Sequence, residues 1–153
     1  MNKLEKTSLA AGLFFGATGV ILGAVGSHVL KGHTTEALEY FRIGNKYQIY
    51  HALFLLILGF LQSKYPGKLM NLSIYNTIAG TVLFSGSLYL LALAKIKVGM
   101  ITPIGGMLLI SAWIMLLIHV LSTKSQPEHS PDKKRPCPSG RRGGLSPAPP
   151  GTN

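Results

Sequence analysis

The run LAAGLFFGATGVILGAVGSHVL, Leu9 to Leu30, carries no formal charge and decides how the rest of the chain is read. A bilayer core about 30 Å thick takes roughly 20 apolar residues in a helix, and with no water present the backbone must bond within the segment. Three further runs approach this standard: Tyr47 to Gln62, the shortest, then Leu69 to Ala94 and Thr102 to Leu121. The expected fold class is all-α, a four-helix transmembrane bundle. A cleaved signal peptide competes for the first run, with Lys3 and Lys6 as its basic flank. That run is too long, and no small-x-small cleavage site leads from it into a soluble domain.

Of 153 residues, 47% are apolar and 13% charged, and Lys plus Arg outnumber Asp plus Glu by 15 to 5. A nucleic-acid partner would need those cations clustered on a soluble face. They lie instead between long uncharged runs, which excludes both that partner and a soluble globular domain. The single cysteine, Cys137, excludes an internal disulfide and any multi-cysteine metal centre.

Residues 1–123 form the expected membrane domain. Its first connection contains Gly32 as a helix terminator, Thr34 or Thr35 as an N-cap, and Glu36 and Glu39 in the favoured first turn. A short interfacial helix, Glu36 to Ile43, is expected there, with Gly44 and Asn45 as a bend into the second span. A continuous helix is the open alternative. Tyr65-Pro66-Gly67 marks the second turn. The third connection, Lys95 to Met100, is short enough to make spans three and four antiparallel neighbours, and Thr102-Pro103 reads as N-cap and first-turn proline. Residues 124–153 hold seven of the nine prolines and six basic residues against two acidic ones. They are read as a disordered basic tail rich in Pro, Gly and Ser. Counting Lys and Arg with the tail gives ten against five in favour of cytoplasmic termini; without the residues after Lys124 the two sides tie at five.

In the first span Gly12, Gly16, Gly19, Gly23 and Gly26 follow a 4-3-4-3 spacing that keeps them on one helix face. Small residues let backbones approach closely in lipid. The face is expected to pack against another span of the chain or against a second protomer. These glycines lie inside an apolar run, so a phosphate-binding loop is excluded.

Ionisable groups at membrane depth raise functional hypotheses. His28 near the end of span one and His51 near the start of span two are expected at similar depth. Antiparallel geometry adds Tyr47, Gln48 and Tyr50 from span two, Ser85, Ser87 and Tyr89 from span three, and Thr102 from span four. Two readings compete for this polar cluster. One is an interhelical network that fixes register, with Tyr47, Tyr50, His51, Phe54 and Leu58 on one packed face. The other is a quinone, haem or metal site built on His28 and His51. His119, at the opposite end, reads as an ordinary interfacial histidine. No catalytic residue is assigned: no carboxylate lies inside any span, and Ser85-Gly86-Ser87 has neither an acidic orienter nor a nucleophile elbow. A transporter would need a polar stripe along a whole span. The stripe Asn71, Ser73, Asn76, Thr77 and Thr81 is expected to fade before the midpoint of span three.

Four pieces in order carry a family resemblance: GAVGSHVLKG (Gly23 to Gly32), EYFRIGNKYQIYHALFLLILG (Glu39 to Gly59), GTVLFSGSLYLLAL (Gly80 to Leu93) and ITPIGGMLLISAW (Ile101 to Trp113). The sequence resembles the small four-helix bacterial membrane proteins typified by YgdD and YwdK, a domain-of-unknown-function family. The resemblance places its motif residues on Gly26 to His28, on Tyr47, Gln48, Tyr50 and His51, on Phe84 to Ser87, and on Thr102 to Gly106. Ser27 and Val29 depart from it beside His28. It implies a four-helix membrane fold in the cell (inner) membrane and leaves reaction and ligand open. The function expected is therefore a non-enzymatic structural or accessory component of a membrane assembly. Its partners are the lipid bilayer and a membrane protein or second copy, with no cofactor and no nucleic acid.

Overall fold

A computed structural model describes residues 2–29, 31–94 and 99–123. Most of the third connection, Lys95 to Val98, and the tail from Lys124, Cys137 included, lie outside the described residues. Four helices account for nearly all of the rest: α1 (Lys3–Val29), α2 (Thr35–Lys64), α3 (Lys68–Ala94) and α4 (Ile101–Ser122). No strand occurs among the described residues.

Local chemistry sets the helix ends. Asn2 Oδ1 accepts the backbone N–H of Glu5 at 2.7 Å while Glu5 Oε2 accepts that of Asn2 at 3.2 Å, a reciprocal capping box that satisfies two orphan donors. Gly32, at φ 94°, takes the left-handed turn that ends the first helical stretch. Thr34 caps α2 through Ala37 N–H at 3.3 Å. Tyr65 closes α2, its N–H donating to Leu61 O at 2.8 Å. Thr102 does not cap α4 as expected. The cap residue is Met100, with no side-chain bond, and Thr102 lies inside the first turn with its hydroxyl turned to Ser87.

The expected interfacial segment is helical but does not stand apart. It forms the first turns of α2, which runs unbroken through Gly44 and Asn45. Gly44 is a packing site there: a Cβ at this position would lie 3.2 Å from Leu88 Cβ and 3.4 Å from Ser85 O. Asn45 donates to Gly19 O at 2.6 Å instead of turning the chain.

Each helix packs antiparallel on the next, α1 on α2, α2 on α3, α3 on α4; α1 meets α3 only briefly, and among the described residues α1 and α4 do not approach one another. Helices α2 and α3 therefore supply most of the core, around Phe54, Leu55, Leu58, Met70, Ile74 and Ala112. Three helical segments are long and apolar enough to cross a membrane: Lys3–Gly26, Lys68–Ala94 and Ile101–Ser122. Their outward faces expose Leu13, Phe14, Val82, Ile110, Ile114 and Leu117. In water such surface would be a liability; against acyl chains it costs nothing.

Candidate functional site

The glycine face of α1 lies along α2. A Cβ at Gly12 would sit 2.9 Å from Ala52 O, one at Gly19 would sit 2.9 Å from Ile49 Cγ1, and one at Gly26 would overlap the Phe41 ring. Gly23 leaves room for Asn45, and Gly16 sits over Ala52 at 3.9 Å. The pairing of these positions fixes the register of the two helices.

That register separates the two histidines. Gly26 lies beside Phe41 and Gly16 beside Ala52, so His28 falls level with the first turns of α2 and His51 level with the middle of α1. At about 1.5 Å per residue the two levels differ by roughly 16 Å. The shared depth expected for them does not hold. Its cause is the continuity of α2: because the helix starts at Thr35, the residues preceding Tyr47 are spent along the last turns of α1, and His51 is carried to the centre.

Around His51 both ring nitrogens are engaged. Nδ1 lies 2.8 Å from the Tyr47 carbonyl, which only accepts, so Nδ1 carries the proton. Trp113 Nε1–H, which only donates, points at Nε2 from 3.4 Å. The two partners define one neutral tautomer. Trp113 also stacks on Phe54, centroids 3.9 Å apart and planes inclined by 13°. These contacts tie α2 to α4 across the bundle. A metal or haem iron needs a free imidazole lone pair. The only one on His51 is aimed at an indole N–H, and His28 lies too far away to share a ligand. The residues do not fit a bis-histidine site, and no group of three potential ligands occurs among the described residues.

Gln48 forms the second node. Its Nε2 donates to Phe15 O at 2.9 Å and to Thr18 Oγ1 at 2.8 Å, while its Oε1 accepts Tyr89 O–H at 2.8 Å. One side chain thus joins α1, α2 and α3. Ser87 and Thr102 share a 2.7 Å hydrogen bond between α3 and α4 near the third connection. Tyr47 stacks on His51 and packs tilted against Phe84, yet it is 41% exposed, and Tyr50 is 52% exposed. Tyr47 therefore lies on the face of His51, Phe54 and Leu58, but neither tyrosine is buried there.

The hydroxyl row of α3 also runs further than expected. Ser73, Thr77, Thr81 and Ser85, at every fourth position, are all buried, so the row passes the middle of the helix. It is a closed row. Ser73 donates to Ala112 O at 2.8 Å, Thr77 to Ser73 O and Thr81 to Thr77 O, each at 2.7 Å. Back-bonding of this kind removes the donors a permeating solute would need.

Several anchors have partners that no sequence spacing reveals, because they lie on helices distant in the chain. Ser8 donates to Leu55 O at 2.7 Å, and Asn76 to Ser111 Oγ at 2.9 Å. His119 Nε2–H donates to Tyr65 O at 2.8 Å, over a Gly67 that has no side chain to obstruct it, and so pins the second turn to the end of α4.

Small residues where helices cross, and polar side chains consumed by neighbouring helices, define a compact polytopic helical membrane protein. The chain belongs to the DUF423 family, described as a protein of unknown function, whose sequence model matches residues 22–106. It is 38% identical to the UPF0382 membrane protein YwdK of Bacillus subtilis over 116 residues, which cover 74% of this chain and 94% of that one. To a UPF0382 membrane protein of Staphylococcus aureus it is 45% identical over 98 residues, 63% of this chain and 80% of the other. To the UPF0382 inner membrane protein YgdD of Escherichia coli K12 it is 36% identical over 108 residues, 69% and 82%. No solved structure matches the chain.

Proposed function

We propose that the chain crosses the cell membrane, the inner one where there are two, four times, and that it is a non-enzymatic structural or accessory component of a membrane assembly. The observation that carries the reading is the way α2 is turned. Its polar Gln48, His51 and Gln62 are buried while Leu53, Ile57 and Phe60 are exposed, which is the arrangement a lipid-facing helix requires. Overall hydropathy understates such a helix, because the polar groups that lower it never meet lipid. Gln48, His51 and the Gln62 amide nitrogen bond to neighbouring helices, with Gln62 Oε1 alone among these side chains lacking a partner among the described residues, and this use supports a role in fixing register over one in binding or turnover. The exposed flanks of α1 and α4, which do not close on each other, leave apolar faces for lipid and for a membrane partner or second copy.

Purification from the native membrane in mild detergent tests this reading. It expects the chain to emerge with a second membrane protein or a second copy, and without stoichiometric metal or chromophore. Recovery of a lone chain loaded with a redox group, lost in His51→Ala with folding intact, would overturn it.

A further inference from the structure

A cavity of about 320 Å³ opens between the end of α1 and the first half of α2, walled by Gly23, Gly26, Phe41, Arg42, Asn45 and Lys46. Phe41 packs over Gly26 and Asn45 over Gly23, and Arg42 and Lys46 line the cavity beside them. Arg42 and Lys46 stand one turn apart, and among the described residues neither meets a carboxylate. The Lys46 ammonium lies 5.8 Å over the Tyr50 ring, and Arg42 is exposed. The acids on this turn are Glu36, which accepts the Tyr40 hydroxyl at 2.6 Å, and Glu39. Two cations beside an apolar wall, left without counter-ions, form a site for an anion with an apolar body.

Depth identifies the anion. Counting back from Gln62 by the roughly 20 residues that span about 30 Å of hydrocarbon reaches Ile43. Arg42 and Lys46 straddle that boundary, at the level of lipid phosphates, where each basic side chain keeps its stem along apolar surface and its head among the headgroups. We propose that this cavity binds the phosphate of an anionic phospholipid headgroup. The phosphate is held between Arg42 and Lys46, and the acyl chains run down the outer faces of α1 and α2. The proposal rests on α2 crossing the bilayer. Side-specific labelling of Lys31→Cys and Lys64→Cys reports that crossing on its own, so failure of the span and failure of the lipid site are distinguishable.

Full-length protein in mild detergent is titrated with phosphatidylglycerol or phosphatidylcholine, and retained lipid is counted by native mass spectrometry. Phosphatidylglycerol is expected to be retained about tenfold over phosphatidylcholine, and that preference is expected to disappear in Arg42→Gln/Lys46→Gln. The single-charge control Lys31→Gln, outside the cavity, keeps it. Circular dichroism and elution volume establish that each variant is folded. Equal retention of the two lipids would overturn the proposal, as would undiminished preference in the double variant or equal loss in Lys31→Gln. Displacement of the lipid by millimolar inorganic phosphate would overturn the lipid as occupant.

Discussion

Trp113 Nε1–H is aimed at His51 Nε2 from 3.4 Å while His51 Nδ1–H donates to the carbonyl of Tyr47 at 2.8 Å. A protonated imidazole would bring two N–H groups face to face at this contact. The histidine is therefore part of the brace between α2 and α4. Replacing Trp113 by Phe keeps a ring on Phe54 and removes the donor; the expected loss is about 1 kcal/mol in a reversible detergent unfolding assay. Trp113→Ala removes the stack as well and is expected to cost more. Equal stability of the two variants would mean that the stack contributes nothing.

Gln48 is the more demanding position, because its neighbours on two helices depend on it. Gln48→Leu leaves the Tyr89 hydroxyl and Thr18 without their shared partner. A loss of about 1–2 kcal/mol is expected, since interhelical hydrogen bonds in membranes average below 1 kcal/mol each. Tyr89→Phe in the Gln48→Leu background is expected to add little. A double-mutant cycle measures this, and additive losses would contradict the linkage.

The glycines separate into those that pack and those that do not. Gly12→Ile places a side chain where even a Cβ would lie 2.9 Å from Ala52 O, and is expected to weaken α1 against α2 by about 1–3 kcal/mol. Gly86→Ala meets nothing within 4 Å and is expected to be neutral or to stabilise by about 0.5–1 kcal/mol. The same unfolding assay reads both. A neutral Gly12→Ile would mean that the α1–α2 register is wrong.

Tyr40 lies on the first turns of α2, ahead of the proposed span. The carboxylate of Glu36 accepts its hydroxyl proton, and that bond, with the nearby negative charge, holds the phenol above its ordinary range. Glu36→Gln removes the charge and is expected to lower the Tyr40 titration point toward the ordinary value. NMR of labelled tyrosine measures it, and an unchanged titration would show that the pair does not form in solution.

The helices and the glycine face were legible in the sequence because each follows from a period: uncharged runs of membrane length, and small residues returning to one face. The depth of His51 was not legible. It depends on whether Gly44 and Asn45 bend the chain, and residue preference at those positions allows either outcome. What decides is tertiary: Gly44 is occupied by the approach of Leu88 and Ser85, and Asn45 is held by Gly19 O, so the helix continues and His51 is carried inward. Likewise Thr102 reads as a cap until Ser87 is seen to take its hydroxyl. The hydroxyl row is read only as far as Thr81, although Ser85 continues its four-residue spacing, because Ser85 is assigned to the polar cluster near the third connection.

Helix α2 is the one whose crossing hydropathy alone does not establish, so it bears the account's main risk. In a Cys137→Ser background reconstituted in one orientation, single cysteines at Lys31 and Lys64 are treated with a membrane-impermeant maleimide from either side. The account expects the two positions to react from opposite sides of the bilayer. Reaction of both from the same side would contradict it.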